Sequence, residues 1–237
     1  MWAIVPLKSL ESAKRRLAGK LSAGERRDLM LAMARDVLAA LCRAKRLSGI
    51  LIVSRTPEAD ALAQTFSTER FAESPDADLP EALTQASAYL TRHFGARGVM
   101  VIPADVPLIR SEEVDDILKG HAEMEDEHGA VTVVPDGENL GTNCLVLSPP
   151  DVIGFVFDGK SFRPHVEAAF ARGLTPRIVQ SRGFALDIDT EDDLRHLLKV
   201  GRSSQTCTFL EKSGISGRLE GSAAGSAIDK GNPEATP

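Results

Sequence analysis

Of 237 residues only Cys42, Cys144 and Cys207 carry thiols. An odd count without metal-type spacing fits a reducing cytosol better than a disulfide framework. Positive charge is also in short supply. Against 34 Asp and Glu there are 28 Lys and Arg, a net charge of -6, which argues against a nucleic-acid partner because phosphate backbones are held by clustered cations. Nowhere do eighteen apolar residues run together, and Met1 leads into the short apolar run Trp2-Ala3-Ile4-Val5 without a basic leader or cleavage site. The expectation is a cytoplasmic protein without a membrane partner. The glycine-rich loop G-x-x-x-x-G-K is missing too, which speaks against a P-loop kinase or NTPase.

What is present alternates. Ala3 to Leu7 reads as a strand, followed by a basic segment from Lys8 to Lys20 and a helix from about Ala23 to Arg43 with Leu29, Met33, Val37 and Leu41 as its apolar stripe. Ile50 to Ser54 is a continuous apolar run of strand length, as expected where helices cover both sheet faces. A helix opens near Pro80, Gly98 to Pro103 is the next strand, Ser111 starts a helix, and Ala130 to Val134 is a further strand. Asn143 to Leu147 and Phe184 to Ile188 read as strands, Phe162 to Arg172 as a helix, and Thr190 with Asp193 makes a capping pattern for a last helix through Leu198. The alternation predicts an α/β doubly wound sheet, mostly parallel. It places one catalytic domain over residues 1–200 and a compositionally disordered tail over residues 201–237.

Chemistry concentrates where strands end. Asp105 follows Pro103-Ala104 at a strand's C-terminal end, where open α/β sheets bind ligands, and it serves either as a turn residue or as a metal ligand. Asp187 and Asp189, two residues apart, share one face if their segment is a strand. Helix capping and ligation are both open for Asp189, while Asp187, between Leu186 and Ile188, reads as a ligand. Lys8 and Lys14 lie nearest the first strand's end, where a triphosphate needs neutralising, whereas Arg15 and Lys20 read as solvated. Gly141-Thr142-Asn143 forms a turn whose amides and hydroxyl suit an anion. Ser161, after Gly159-Lys160, either caps the following helix or presents its N-terminus to an oxyanion. Arg163 and His165 are weaker candidates, and Cys144 reads as core.

These motifs resemble a known family. Val5-Pro6-Leu7-Lys8, Ala13 to Leu17, Pro103 to Leu108, Val134-Pro135-Asp136, Gly141-Thr142-Asn143, Ser161-Phe162 with His165, and Leu186 to Thr190 occur in the order found in the guanylyltransferases of deazaflavin coenzyme biosynthesis, over about residues 1 to 199. The resemblance implies a GT-A-like, Rossmann-related nucleotidyltransferase fold and transfer of GMP from GTP to a phosphorylated three-carbon acid, with release of pyrophosphate. It implies magnesium on Asp105, Asp187 and Asp189, triphosphate contacts from Lys8, Lys14 and Arg16, and acid binding by Thr142, Gly159 and Ser161, mainly through backbone donors. It also implies a homodimer. The chain departs from the family pattern at Asp78-Leu79-Pro80, where relatives usually show Gly-Leu-Asn, and at Asp158-Gly159-Lys160, where a glycine generally comes first. The acceptor stays open among 2-phospho-L-lactate, phosphoenolpyruvate and 3-phospho-D-glycerate, and the altered loops rank the last first. The alternatives are another small-molecule nucleotidyltransferase, disfavoured by the missing glycine-rich first loop, and a nucleotide-binding regulator without catalysis.

Overall fold

The computed structural model describes residues 1–7, 10, 14–201 and 203–226. Among the described residues seven strands form one sheet in the order β3-β2-β1-β4-β6-β5-β7. They are β1 (Trp2–Pro6), β2 (Gly49–Val53), β3 (Glu69–Phe71), β4 (Val99–Val101), β5 (Ala130–Pro135), β6 (Thr142–Ser148) and β7 (Arg177–Ile178). Only β6 runs antiparallel to its neighbours, and the other six are parallel. Chain order reverses between β1 and β4, so the loops after these two strands open a crevice at the switch point.

The helices are α1 (Ala23–Arg43), α2 (Glu58–Phe66), α3 (Leu79–Phe94), α4 (Ser111–Ala122), α5 (Phe162–Ala171), α6 (Glu191–Val200), α7 (Gln205–Lys212) and α8 (Ile215–Ser226). Local chemistry sets several starts. Ser22 and Glu25 form a reciprocal capping box on α1, as do Thr190 and Asp193 on α6. Asp78 accepts from the Glu81 amide at 2.9 Å and Pro80 sits in the first turn of α3, so the departure at Asp78-Leu79-Pro80 is a well-made helix start. Two apolar layers result. One places Leu29, Met33, Val37 and Leu41 of α1 against Val5, Ile52 and Met100; the other seats Leu83, Ala86 and Leu90 of α3 against Ile4, Leu51 and Val101. Among the described residues no helix is long and apolar enough to cross a membrane. Cys42, Cys144 and Cys207 are all free, with Cys144 fully buried in β6.

Two sequence expectations need correction, and three elements go beyond them. Phe184 to Ile188 forms no strand. It is tied by single hydrogen bonds, from the Ile188 amide to the Asp105 carbonyl (3.1 Å) and from the Gly137 amide to the Ala185 carbonyl (2.8 Å). The reading of residues 201–237 as a disordered tail fails over its described part, because α7 and α8 bury Cys207, Leu210, Ile215 and Leu219. The apolar content there is low, but it recurs at helical spacing. The Asp36 carboxylate of α1 accepts from the amides of Gln205 and Thr206, both at 2.8 Å, and from the Thr206 hydroxyl at 2.6 Å. Finally, α2, β3 and β7 escape the sequence reading. Pro57 offers α2 no side-chain cap, and β3 and β7 are three- and two-residue strands at the sheet's edges.

Candidate active site

A crevice of about 1140 Å³ lies over the C-terminal ends of β1 and β4. Lys14, from the loop after β1, and Asp105, from the loop after β4, meet there although 91 residues separate them. The Lys14 ammonium donates to Asp105 Oδ2 at 2.5 Å and to Asp189 Oδ1 at 2.8 Å. Its backbone is left-handed, with φ 50 and ψ 48, a conformation that costs a non-glycine residue roughly 1–2 kcal/mol. The two ion pairs hold it there. Arg16, 75% exposed at its side chain, reaches Asp189 Oδ2 at 3.5 Å, while Lys20 pairs outside with Glu191 at 3.2 Å. Lys8 lies outside the described residues.

Asp187 completes the acidic group. Its Oδ1 accepts from Asn143 Nδ2 at 3.3 Å, and the same amide group donates to the Phe184 carbonyl at 2.8 Å. Asn143, in β6, thereby positions a carboxylate that no strand holds. Burial foremost, then the charges of Asp105 and Asp189, push the Asp187 carboxyl above its usual range. Burial alone would lower the Lys14 amine, but the carboxylates of Asp105 and Asp189 outweigh it and raise it. The site thus carries more negative charge than Lys14 neutralises. Among the described residues no group of three His, Cys, Asp or Glu side chains is placed to hold a metal ion. Hard carboxylate oxygens with charge to spare still suit magnesium, which usually takes one or two carboxylates and completes its shell with substrate phosphates and water.

The far wall is built from β6 and the start of α5. The expectation of backbone donors at Gly141 and Thr142 is corrected here. The Gly141 amide donates to Asp136 Oδ2 at 2.7 Å and the Thr142 amide to Ser161 Oγ at 3.1 Å. Thr142 and Ser161 line the crevice although each is almost wholly buried. Ser161 stands at the N-cap position of α5 without capping it, its oxygen being taken by Thr142. Gly159, at φ +85, lines the crevice in a conformation that favours glycine. Asp136 also accepts from the amides of Glu138 (3.1 Å) and Leu140 (2.9 Å) and so shapes the loop before β6. Its place in a Val-Pro-Asp run was visible in the sequence, but this role was not. His165 is fully buried, with Nδ1 3.0 Å from Thr142 Oγ1 and Nε2 accepting from the Val156 amide at 3.1 Å. Arg163 turns outward to Glu167.

Comparison with known proteins agrees with this architecture. A phosphoenolpyruvate guanylyltransferase from Conexibacter woesei is 35% identical over 199 residues, spanning 84% of this chain and 87% of its own. A 2-phospho-L-lactate guanylyltransferase from Methanocaldococcus jannaschii is 31% identical over 232 residues, covering 97% of this chain and 96% of that protein. The fold matches a solved nucleotidyl transferase from Methanothermobacter with a TM-score of 0.59 and 17% identity, over 89% of this chain and 98% of the other. The family described as "Guanylyl transferase CofC like" matches residues 1–229. With carboxylates and a lysine gathered at the switch point of a nucleotidyltransferase fold, the chain belongs to the CofC-like guanylyl transferase family.

Proposed function

We propose that this chain transfers GMP from GTP to the phosphate of a phosphorylated three-carbon acid and releases pyrophosphate, a step of deazaflavin coenzyme biosynthesis. The observation that carries the reading is the meeting of Lys14 with Asp105 and Asp189, beside Asp187, in one crevice. An oxygen of the acceptor phosphate forms the new bond to the α-phosphorus. The bond from that phosphorus to the α–β bridging oxygen breaks, and its electron pair leaves with pyrophosphate. A phosphate monoester is largely dianionic at neutral pH, so no side chain must first remove a proton, and no nucleophile–base pair is required. The protein's task is alignment and charge. Lys14 and Arg16 steady the triphosphate, with Lys8 assigned to the same task by family position. Thr142, Gly159 and Ser161 hold the acid. Magnesium, held by one or two carboxylates drawn from Asp105, Asp187 and Asp189, would supply neutralising charge to the phosphates.

The relatives named above act on phosphoenolpyruvate and on 2-phospho-L-lactate by name. The acceptor here is a small acid of this class, with 3-phospho-D-glycerate the third candidate. Pyrophosphate release from GTP, measured with each acid separately and with the other nucleoside triphosphates, tests the reading. GTP binding without turnover on any acid would make the chain a sensor and end the proposal. The three free cysteines agree with a cytoplasmic location. The family resemblance suggests a homodimer, which a 25.4 kDa particle in light scattering would exclude.

A further inference from the structure

The geometry points to His165 as a positioning residue for acid recognition: its ring fixes the Thr142 hydroxyl as a hydrogen-bond donor into the crevice. This inference rests on the function proposed above and concerns how the acid is held. It begins with the Val156 amide. A backbone N–H can only donate, and it donates to His165 Nε2 at 3.1 Å, so that nitrogen carries no proton. The single proton of a neutral imidazole then sits on Nδ1, which donates to Thr142 Oγ1 at 3.0 Å. Burial pushes the ring's pKa down to about 4, in agreement with a neutral ring at physiological pH. The Phe157 ring, edge-on at 5.3 Å between centroids, packs against the imidazole.

Thr142 Oγ1 accepts from His165 and therefore keeps its own proton to give away. Among the described residues no protein acceptor takes it, and Thr142 lines the crevice. Ser161 stands in the same polarity. Its Oγ accepts from the Thr142 amide, and its hydroxyl proton is likewise available. Two donors side by side call for a ligand that brings acceptor oxygens, either a carboxylate or a phosphate. A ligand offering only donors would leave both hydroxyl protons unpaired in a buried place, where an unmade hydrogen bond costs about 1–3 kcal/mol.

Two measurements on the full chain test the assignment. In wild-type protein, nitrogen-15 spectra of the imidazole should show His165 protonated on Nδ1 and bare on Nε2; protonation on Nε2 overturns the inference without any variant. In kinetics, His165→Gln keeps a group near the Nε2 position and loses the donor to Thr142. It should raise the KM for the acid about tenfold and leave the KM for GTP unchanged. His165→Asn, which restores a donor at the Nδ1 position, should recover most of that loss. Thr142→Val should resemble His165→Gln, and combining the two should add nothing further, because both remove one interaction. Multiplying effects in the double variant, an equal loss in Asn and Gln, or a shift in the KM for GTP would show a brace that acts on the fold alone and overturn the role. If His165→Gln does not fold, the wild-type spectrum together with Thr142→Val and His165→Asn decides. Wild-type protein that turns over none of the acids removes the proposed function itself, an outcome distinct from normal turnover with an insensitive His165.

Discussion

Strand β6 has a buried histidine at each end, and the two differ in what they hold. At its last residue, Ser148, His121 joins Nε2 to the Ser148 hydroxyl at 3.0 Å and Nδ1 to the Thr132 hydroxyl at 2.9 Å. At its first, Thr142, His165 joins a hydroxyl to a backbone amide. Both rings are at most 1% exposed, and burial pushes both pKa values down to about 4. Burial and a lowered pKa therefore do not separate a functional histidine from a structural one. The partners do. Two rotatable hydroxyls accommodate either tautomer of His121, and neither Thr132 nor Ser148 lines the crevice. An amide cannot reverse its polarity, so it dictates the tautomer of His165, and the partner hydroxyl belongs to a residue that lines the crevice. On the function proposed above, one end of β6 serves stability and the other serves recognition of the acid.

Asp105→Asn is the strongest test of the chemical end. It should still fold, with a lowered melting temperature because the buried Lys14 loses one of its two carboxylate partners, and lose about 1000-fold in turnover, measured as pyrophosphate release, because an amide neither pairs fully with Lys14 nor serves a cation well. Near-normal turnover would erase the distinction between the two ends. Leu210→Ala, outside the crevice lining, should cost about 2–5 kcal/mol in urea denaturation and leave both KM values intact; no loss would mean that α7 is not part of the folded unit. His121→Leu should destabilise by about 1–3 kcal/mol, since it strands the Thr132 and Ser148 hydroxyls, and again leave the KM for the acid alone. A changed acid KM in that variant would collapse the contrast between the histidines. Lys14→Ala should raise the KM for GTP about tenfold, and an unchanged nucleotide dependence would reject its assignment.

A further expectation concerns pH dependence. Each histidine has an ordinary value of 6.5 and a folded value of about 4. Between these values the unfolded chain binds more protons than the folded one, so stability is complete above about 6.5 and falls as pH drops towards 4. Asp187, raised by burial and by its neighbouring carboxylates, has the opposite sign and offsets part of the loss just above its ordinary 3.8. Urea titrations across this range should show the decline, and His121→Leu should make it shallower. A flat wild-type profile would remove the neutral-histidine account.

Much of the crevice is legible in the sequence. Asp105 stood out because an apolar strand running into Pro-Ala-Asp marks a strand end, and Lys14 because it lies in a basic stretch directly after the first strand. The pairing of Asp187 with Asp189 does not come from a shared strand face, as their spacing suggests. Their segment is irregular, and Asn143 and the Asp105 carbonyl, rather than a pleat, bring it to the site. Neither contact leaves a local signal, since each partner lies more than 40 residues away. Ser161 looked like a helix cap because its position is one, yet its oxygen is committed to Thr142 across 19 residues. The helices after Gly201 were missed because composition averages over a window, whereas burial needs only an apolar residue once per turn.

Hydrophobic periodicity, capping residues and strand-end motifs act over a few neighbouring positions, and for that reason the amino-acid sequence alone determined the α/β alternation, most element boundaries and the acidic and basic character of the site. The direction of hydrogen bonds was beyond its reach. Which tautomer His165 holds, which hydroxyls keep a free proton and where Lys14 spends its charge depend on groups far apart along the chain, and only the folded arrangement, by bringing a fixed amide or carboxylate within 3 Å or so, decides them.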